Sequence, residues 1–135
     1  MKRVYISGAL TNASEKGFYE ALGEVVEVAK YTAYIPHKHT DPDKNPDATP
    51  KEVYDTDKKV VEESCLVILC ANNPSFGTGM EAEIASAAGI PILVLAREDV
   101  RVSRMILGAP SVREVVRYET EHEALEVVFK FLEEF

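Results

Sequence analysis

The chain has 135 residues, 46% of them hydrophobic and 28% charged, with a formal net charge of −8 from 15 basic and 23 acidic side chains. That length suits one domain, the composition excludes a wholly disordered chain, and no apolar run approaches the ~20 residues of a membrane span. The acidic balance argues against tracking a nucleic-acid backbone, which needs clustered Lys and Arg, while leaving open one small phosphate held by amides and hydroxyls.

In chain order the pattern alternates strand and helix. Lys2 to Ser7 reads as a first strand, stopped by Gly8, and its basic start is too short in apolar residues for a signal peptide, so a cytoplasmic protein is expected. Phe18, Leu22, Val25, Val26 and Ala29 share one face of an amphipathic helix. Tyr31 to Ile35 predicts a short strand, and His37 to Thr49 a long polar loop. Thr49-Pro50-Lys51-Glu52 combines an N-cap, a first-turn proline and a capping box, opening a helix with Val53, Val60 and Val61 on one face. Cys65 to Cys70 is a continuous apolar run, as in a strand covered on both faces, and its two cysteines read as core rather than as a disulfide or zinc site.

Ala71 to Gly79 reads as a loop, with a helix from Met80 closed by Gly89. Pro91 to Ala96 predicts another buried strand, Val102 to Leu107 a short helix and Val115 to Tyr118 a last strand. A second capping box, Thr120 to Glu123, opens a final helix with Leu125, Val128, Phe129 and Leu132 in its stripe. Alternation with apolar central strands implies a parallel sheet of about five strands with helices on both faces. Ligands then sit at the carboxyl ends of the strands, which gathers the loops 7–12, 37–43, 72–79 and 97–103.

Several residues could carry chemistry there. Pro74-Ser75-Phe76-Gly77-Thr78-Gly79-Met80-Glu81 runs from strand end into helix start, where exposed amides attract anions. Glu81 either closes its own helix as the acid of a Thr78 capping box or faces the strand edge as a catalytic carboxylate. Gly77-x-Gly79-x-x-Ala82 with Asp99 about 20 residues on also fits a dinucleotide fingerprint, but it follows the third strand rather than the first. Asp57 interrupts the apolar stripe of its helix, which suits a stripe edge or a desolvated acid–base group. Tyr5 reads as core, while His37 and His39, near Asp41 and Asp43, read as solvated loop residues with no defensible zinc spacing.

Taken together, Tyr5-Ile6-Ser7-Gly8-Ala9-Leu10, Asp57 and Ser75-x-Gly77-x-Gly79-Met80-Glu81 resemble the nucleoside 2-deoxyribosyltransferase superfamily, and within it the 2′-deoxynucleoside 5′-phosphate N-hydrolases. The resemblance covers the chain to about Pro110 and implies a single domain over 1–135 with a three-layer Rossmann/flavodoxin-like fold. It implies cleavage of the bond between a base and deoxyribose without metal or organic cofactor. Glu81 matches the nucleophile, Asp57 the second carboxylate that helps protonate the leaving base, and Tyr5 the residue that positions the nucleophile. Repulsion between two such carboxylates should leave one of them holding a proton.

The resemblance also implies a substrate site from Tyr5, Ile6, Ser7, Gly8, Ala9, Leu10, Thr11, Tyr19, His37, Ser75, Gly77, Gly79, Ser103, Arg104 and Met105. Ser75 stands where transferases carry an acid, so a 5′-phosphate becomes acceptable. Ser103 resembles a phosphate-contacting serine lent across a homodimer. Ala9 stands where the nucleotide hydrolases have a serine. The expected activity is hydrolysis of deoxynucleoside monophosphates, against base exchange between nucleosides or a non-enzymatic nucleotide-binding module. The expected partners are a small deoxynucleotide and a second copy, with no nucleic acid and no membrane.

Overall fold

The computed structural model describes residues 1–10, 15–40, 43 and 45–135. Its elements are β1 (Arg3–Ser7), α1 (Lys16–Val28), β2 (Thr32–Tyr34), a 3-10 turn (Pro36–Lys38), α2 (Pro50–Glu62), β3 (Leu66–Cys70), α3 (Phe76–Ala88), β4 (Ile92–Arg97), α4 (Arg104–Leu107), β5 (Val112–Tyr118) and α5 (Glu121–Glu134). All strand pairs are parallel, in the order β2-β1-β3-β4-β5. Helices α1 and α5 pack together on one face, α2 and α3 on the other, giving the expected three-layer α/β architecture of Rossmann/flavodoxin type.

Strand periodicity sorts the core into two unequal halves. Val4 and Ile6 of β1, with Leu66, Ile68, Leu93 and Leu95, meet Phe18, Leu22, Val26, Val128 and Leu132 of α1 and α5. The opposite face carries a smaller cluster in which Val67, Leu69, Ile92 and Val94 meet Val61, Ala82 and Ala85 of α2 and α3, with Tyr5 among them. The residues that alternate with Val4 and Ile6 are Tyr5 and Ser7, so β1 sends two hydroxyls toward the α2–α3 side.

Local signals account for most boundaries. The Thr49 capping box forms in full: Thr49 Oγ1 accepts from Glu52 N at 3.1 Å, and Glu52 Oε1 accepts from Thr49 N at 3.0 Å. At α5 half of the expected box forms, because Thr120 accepts from Glu123 N while the Glu123 carboxylate accepts from Glu119 N. The main departure is α3, which begins at Phe76 rather than Met80, with Ser75 as its N-cap accepting from Thr78 N at 3.4 Å. Gly77 and Gly79 are therefore helical residues, and among the described glycines Gly89, which caps the end of α3, has the positive φ. β5 starts three residues earlier than expected, at Val112.

In this strand order the chain leaves β1 toward β2 and leaves β3 toward β4. The loops after β1 and β3 diverge and open a crevice at the carboxyl edge between them. No helix among the described residues is long and apolar enough to cross a membrane.

Candidate active site

A cavity of about 660 Å³ opens at that crevice, with Glu81, Asp57, Gly8, Leu10, Ser75 and Gly77 in its wall. Glu81 lies in the second turn of α3, on the stripe of Thr78, Ala82 and Ala85 that faces the sheet. The start of α3 removes the capping-box reading of Glu81, because the cap is Ser75 and its third helical residue is Thr78. The carboxylate is held from β1 instead: Tyr5 Oη donates to Oε2 at 2.5 Å and Ser7 Oγ donates to Oε1 at 2.6 Å. Both oxygens are thus fixed by hydroxyls two residues apart on one strand, short bonds of the kind a carboxylate accepts.

Burial sets the protonation of the site. It pushes the Glu81 carboxyl up to about 7; the Ser7 and Tyr5 donors oppose the rise and the Asp57 charge adds to it. Asp57 is pushed up to about 6, again by burial first, with the Thr40 hydroxyl opposing. That hydroxyl lies 3.4 Å from each Asp57 oxygen and 3.3 Å from the Pro36 carbonyl, so Asp57 has far weaker donors than Glu81. Burial and the two carboxylates push Tyr5 well above the usual phenol range, so it remains a donor. The pair passes through a one-proton form near neutrality, as expected for an acid and a base that share one site.

The remaining expected residues fall in different places. Gly8, Leu10, Ser75 and Gly77 line the cavity with the carboxylates. Ile6 does not: it points to the opposite face and is part of the α1–α5 core. Tyr19 and Ala9 are buried supports, Tyr19 Oη donating to the Ala9 carbonyl at 3.1 Å. A Cβ on Gly8 would come within 2.5 Å of the Tyr19 ring, so Gly8 is the residue that lets β1 run this close to α1.

His37 is neither solvated nor in the cavity wall. It is buried against Tyr19, with Nε2 3.3 Å from Glu20 Oε1, and its neighbours Pro36 and Thr40 line the cavity in its place. His39 is exposed and stacks on Tyr34, with ring centroids 4.5 Å apart. Gly79, Ser103 and Met105 line a second cavity of about 390 Å³ on the other side of the α3 N-terminus, which shares Ser75 and Thr78 with the first. Arg104 is exposed on α4. Thr11 and Asp41 lie outside the described residues. The dinucleotide reading fails, since its glycines sit inside α3 rather than in a strand-to-helix turn after β1.

Sequence reasoning missed the support behind this edge. Asn72 Nδ2 donates to Glu15 Oε1 at 2.9 Å and to Tyr118 Oη at 2.7 Å, while its Oδ1 accepts from Arg97 N at 2.7 Å. Asn73 Nδ2 donates to the other Glu15 oxygen at 3.0 Å. This buried web ties the loop before α3 to the start of α1 and the ends of β4 and β5. Two consecutive asparagines after an apolar strand were its sequence signal.

No family model matches the chain. Over 138 aligned positions it is 31% identical to a protein of Methanosarcina mazei named "Putative 2′-deoxynucleoside 5′-phosphate N-hydrolase 1", covering 97% of this chain and 84% of that one. The chain belongs to the nucleoside 2-deoxyribosyltransferase and N-hydrolase family. Solved structures share its fold. Clostridium botulinum CMP N-glycosidase superposes with a TM-score of 0.76 at 24% identity, over 96% of this chain and 99% of that one. The 2-deoxyribosyltransferase of Bacillus psychrosaccharolyticus gives 0.69 at 16% identity, over 96% and 95%. The fold is thus shared with a glycosidase and with a transferase.

Proposed function

We propose that this family member hydrolyses the N-glycosidic bond of 2′-deoxynucleoside 5′-monophosphates, giving the free base and deoxyribose 5-phosphate. The observation that carries the reading is the pair of β1 hydroxyls on the two oxygens of Glu81. Such donors hold a carboxylate in one orientation and favour its anion, as a nucleophile requires. The reacting form carries the charge on Glu81 and the proton on Asp57; with Glu81 the more strongly raised of the two it is the minor one-proton arrangement, and it is the one the Tyr5 and Ser7 donors stabilise. In that form Glu81 attacks the anomeric carbon as the carbon–nitrogen bond breaks, and Asp57 gives its proton to the departing base. The product of this step is a glycosyl ester on Glu81. Water then adds to the same carbon, Asp57 takes its proton, and Glu81 is released with overall retention.

The phosphate falls to the N-terminus of α3. Ser75 caps the helix as an acceptor, which leaves its own hydroxyl proton free to donate, and a Cβ on Gly77 would meet that Ser75 Oγ at 3.8 Å, an ordinary contact. A neutral side chain beside helix amides accepts a dianion that an acid would repel. The exposed Met105 and the nearby Ser103 line the second cavity rather than the one that holds Glu81, an arrangement that suits their completing the site of a second copy in a homodimer.

The test is chromatographic. Each deoxynucleoside monophosphate and its parent nucleoside are incubated with the protein, with and without an acceptor base. Base freed from the monophosphates, and abolished in Glu81→Gln, supports the proposal. Base exchange among unphosphorylated nucleosides assigns a transferase instead, and silence throughout leaves a binding module.

A further inference from the structure

Tyr34 ends β2 directly opposite Tyr5 in the parallel register, so the two side chains leave the sheet on the same face. Their rings stack with centroids 5.4 Å apart, and His39 stacks on the far side of Tyr34 at 4.5 Å. The Tyr34 ring is therefore clamped on both faces. Its hydroxyl oxygen is buried, yet it makes no hydrogen bond to any described residue. A buried donor without an acceptor is costly, and native proteins keep few of them outside working sites.

The hydroxyl lies in the field of Asp57 on α2 and Glu81 on α3, with Arg3 on β1 opposing them, while Tyr5 on β1 and His39 after β2 stack on the ring. Of the two carboxylates, Asp57 acts on it more strongly than Glu81. Glu81 already accepts two short bonds, whereas Asp57 has the distant Thr40 hydroxyl. An under-donated carboxylate and an acceptorless hydroxyl thus lie on the same α2–α3 side of the sheet.

We propose that Tyr34 is a positioning residue of the catalytic centre, its Oη donating to the Asp57 carboxylate in the working enzyme and deciding at which pH Asp57 holds its proton. The proposal rests on the functional reading above for Asp57's role as the acid. Because the Tyr34 ring is clamped, the adjustment that joins the two groups falls to the Asp57 side chain. The stack on Tyr5 links the acid half of the site to the nucleophile half, so the two carboxylates are held from neighbouring positions of paired strands.

Tyr34→Phe removes the hydroxyl and keeps the stack. The readout is the Asp57 titration, followed by NMR of protein carrying ¹³C-carboxyl aspartate and assigned by the resonance lost in Asp57→Asn. It is recorded alone and with deoxyribose 5-phosphate. Loss of a donor to the anion raises the Asp57 pKa, so Tyr34→Phe should move its midpoint up by about one unit in one or both states. The kcat/KM profile should shift with it. An unchanged midpoint in both states overturns the proposal, whatever happens to thermal stability, since a hydroxyl with a purely structural role alters melting and not titration. If the wild-type protein frees no base, the functional reading falls while the titration still decides the Tyr34–Asp57 bond.

Discussion

Glu81→Gln should abolish base release, and the structure also assigns it an effect on stability that depends on pH. In the unfolded chain this carboxyl has its ordinary value of 4.5, and burial in the fold raises it to about 7. The folded state therefore binds the proton more tightly than the unfolded state. Below 4.5 both states are protonated and the site costs nothing. Between 4.5 and 7 the unfolded chain has lost its proton while the fold still holds one, so stability falls as pH rises, and above 7 the loss is complete. A rise of that size corresponds to about 3 kcal/mol. Glutamine never ionises, so it escapes this penalty. Its amide keeps one acceptor for Tyr5 or Ser7 and disturbs the other bond, which returns about 1 kcal/mol. The net expectation is a variant about 1 kcal/mol less stable than wild type near pH 4.5 and about 2 kcal/mol more stable at pH 8.5. Asp57 is present in both proteins, so its own burial cancels and the difference reports Glu81 together with its coupling to Asp57. Urea denaturation at the two pH values measures it. A difference that stays constant with pH, or a variant less stable at pH 8.5, would refute the placement of Glu81 as a desolvated carboxylate.

The β1 hydroxyls give a second test: Tyr5→Phe and Ser7→Ala each remove a donor to the anion, so the acid limb of the kcat/KM profile should move to higher pH and turnover should fall about 10–100-fold with the fold intact. Ser75→Asp keeps an N-cap of equal quality, so melting should hardly change, while use of monophosphates should drop at least tenfold relative to nucleosides in parallel kinetic assays. Gly8→Ala drives a methyl into the Tyr19 ring and should cost about 1–3 kcal/mol in denaturation, with KM rising because the displaced backbone lines the cavity.

What the sequence made legible was whatever depends on local spacing. The strand–helix alternation, the Thr49 box and the misfit of Asp57 in its apolar stripe are all written within one or two helical turns. The start of α3 was not legible, because Pro74, Gly77 and Gly79 read as a loop and the Ser75 cap lacks an acid three residues on to mark it. That error made Glu81 look like a cap partner, when its true partners come from a strand 74 and 76 residues away. His37 was misread for a related reason: its burial depends on packing against Tyr19 and Glu20 of α1, which no local pattern announces. The stacked Tyr5 and Tyr34 depend on strand register, which exists once β1 and β2 have paired.

That register carries a consequence for how the enzyme comes into being. In β1 the aliphatic side chains Val4 and Ile6 alternate with the hydroxyls Tyr5 and Ser7, the first pair gripping α1 and the second pair gripping Glu81. A slip of one residue would exchange the two sets, pushing hydroxyls into the larger core and leaving Glu81 facing valine and isoleucine. The misaligned chain would be unstable and inactive at once. Assembly of the sheet therefore proofreads the Glu81 site: a molecule that has earned its core has, by the same alternation, already aimed its two donors.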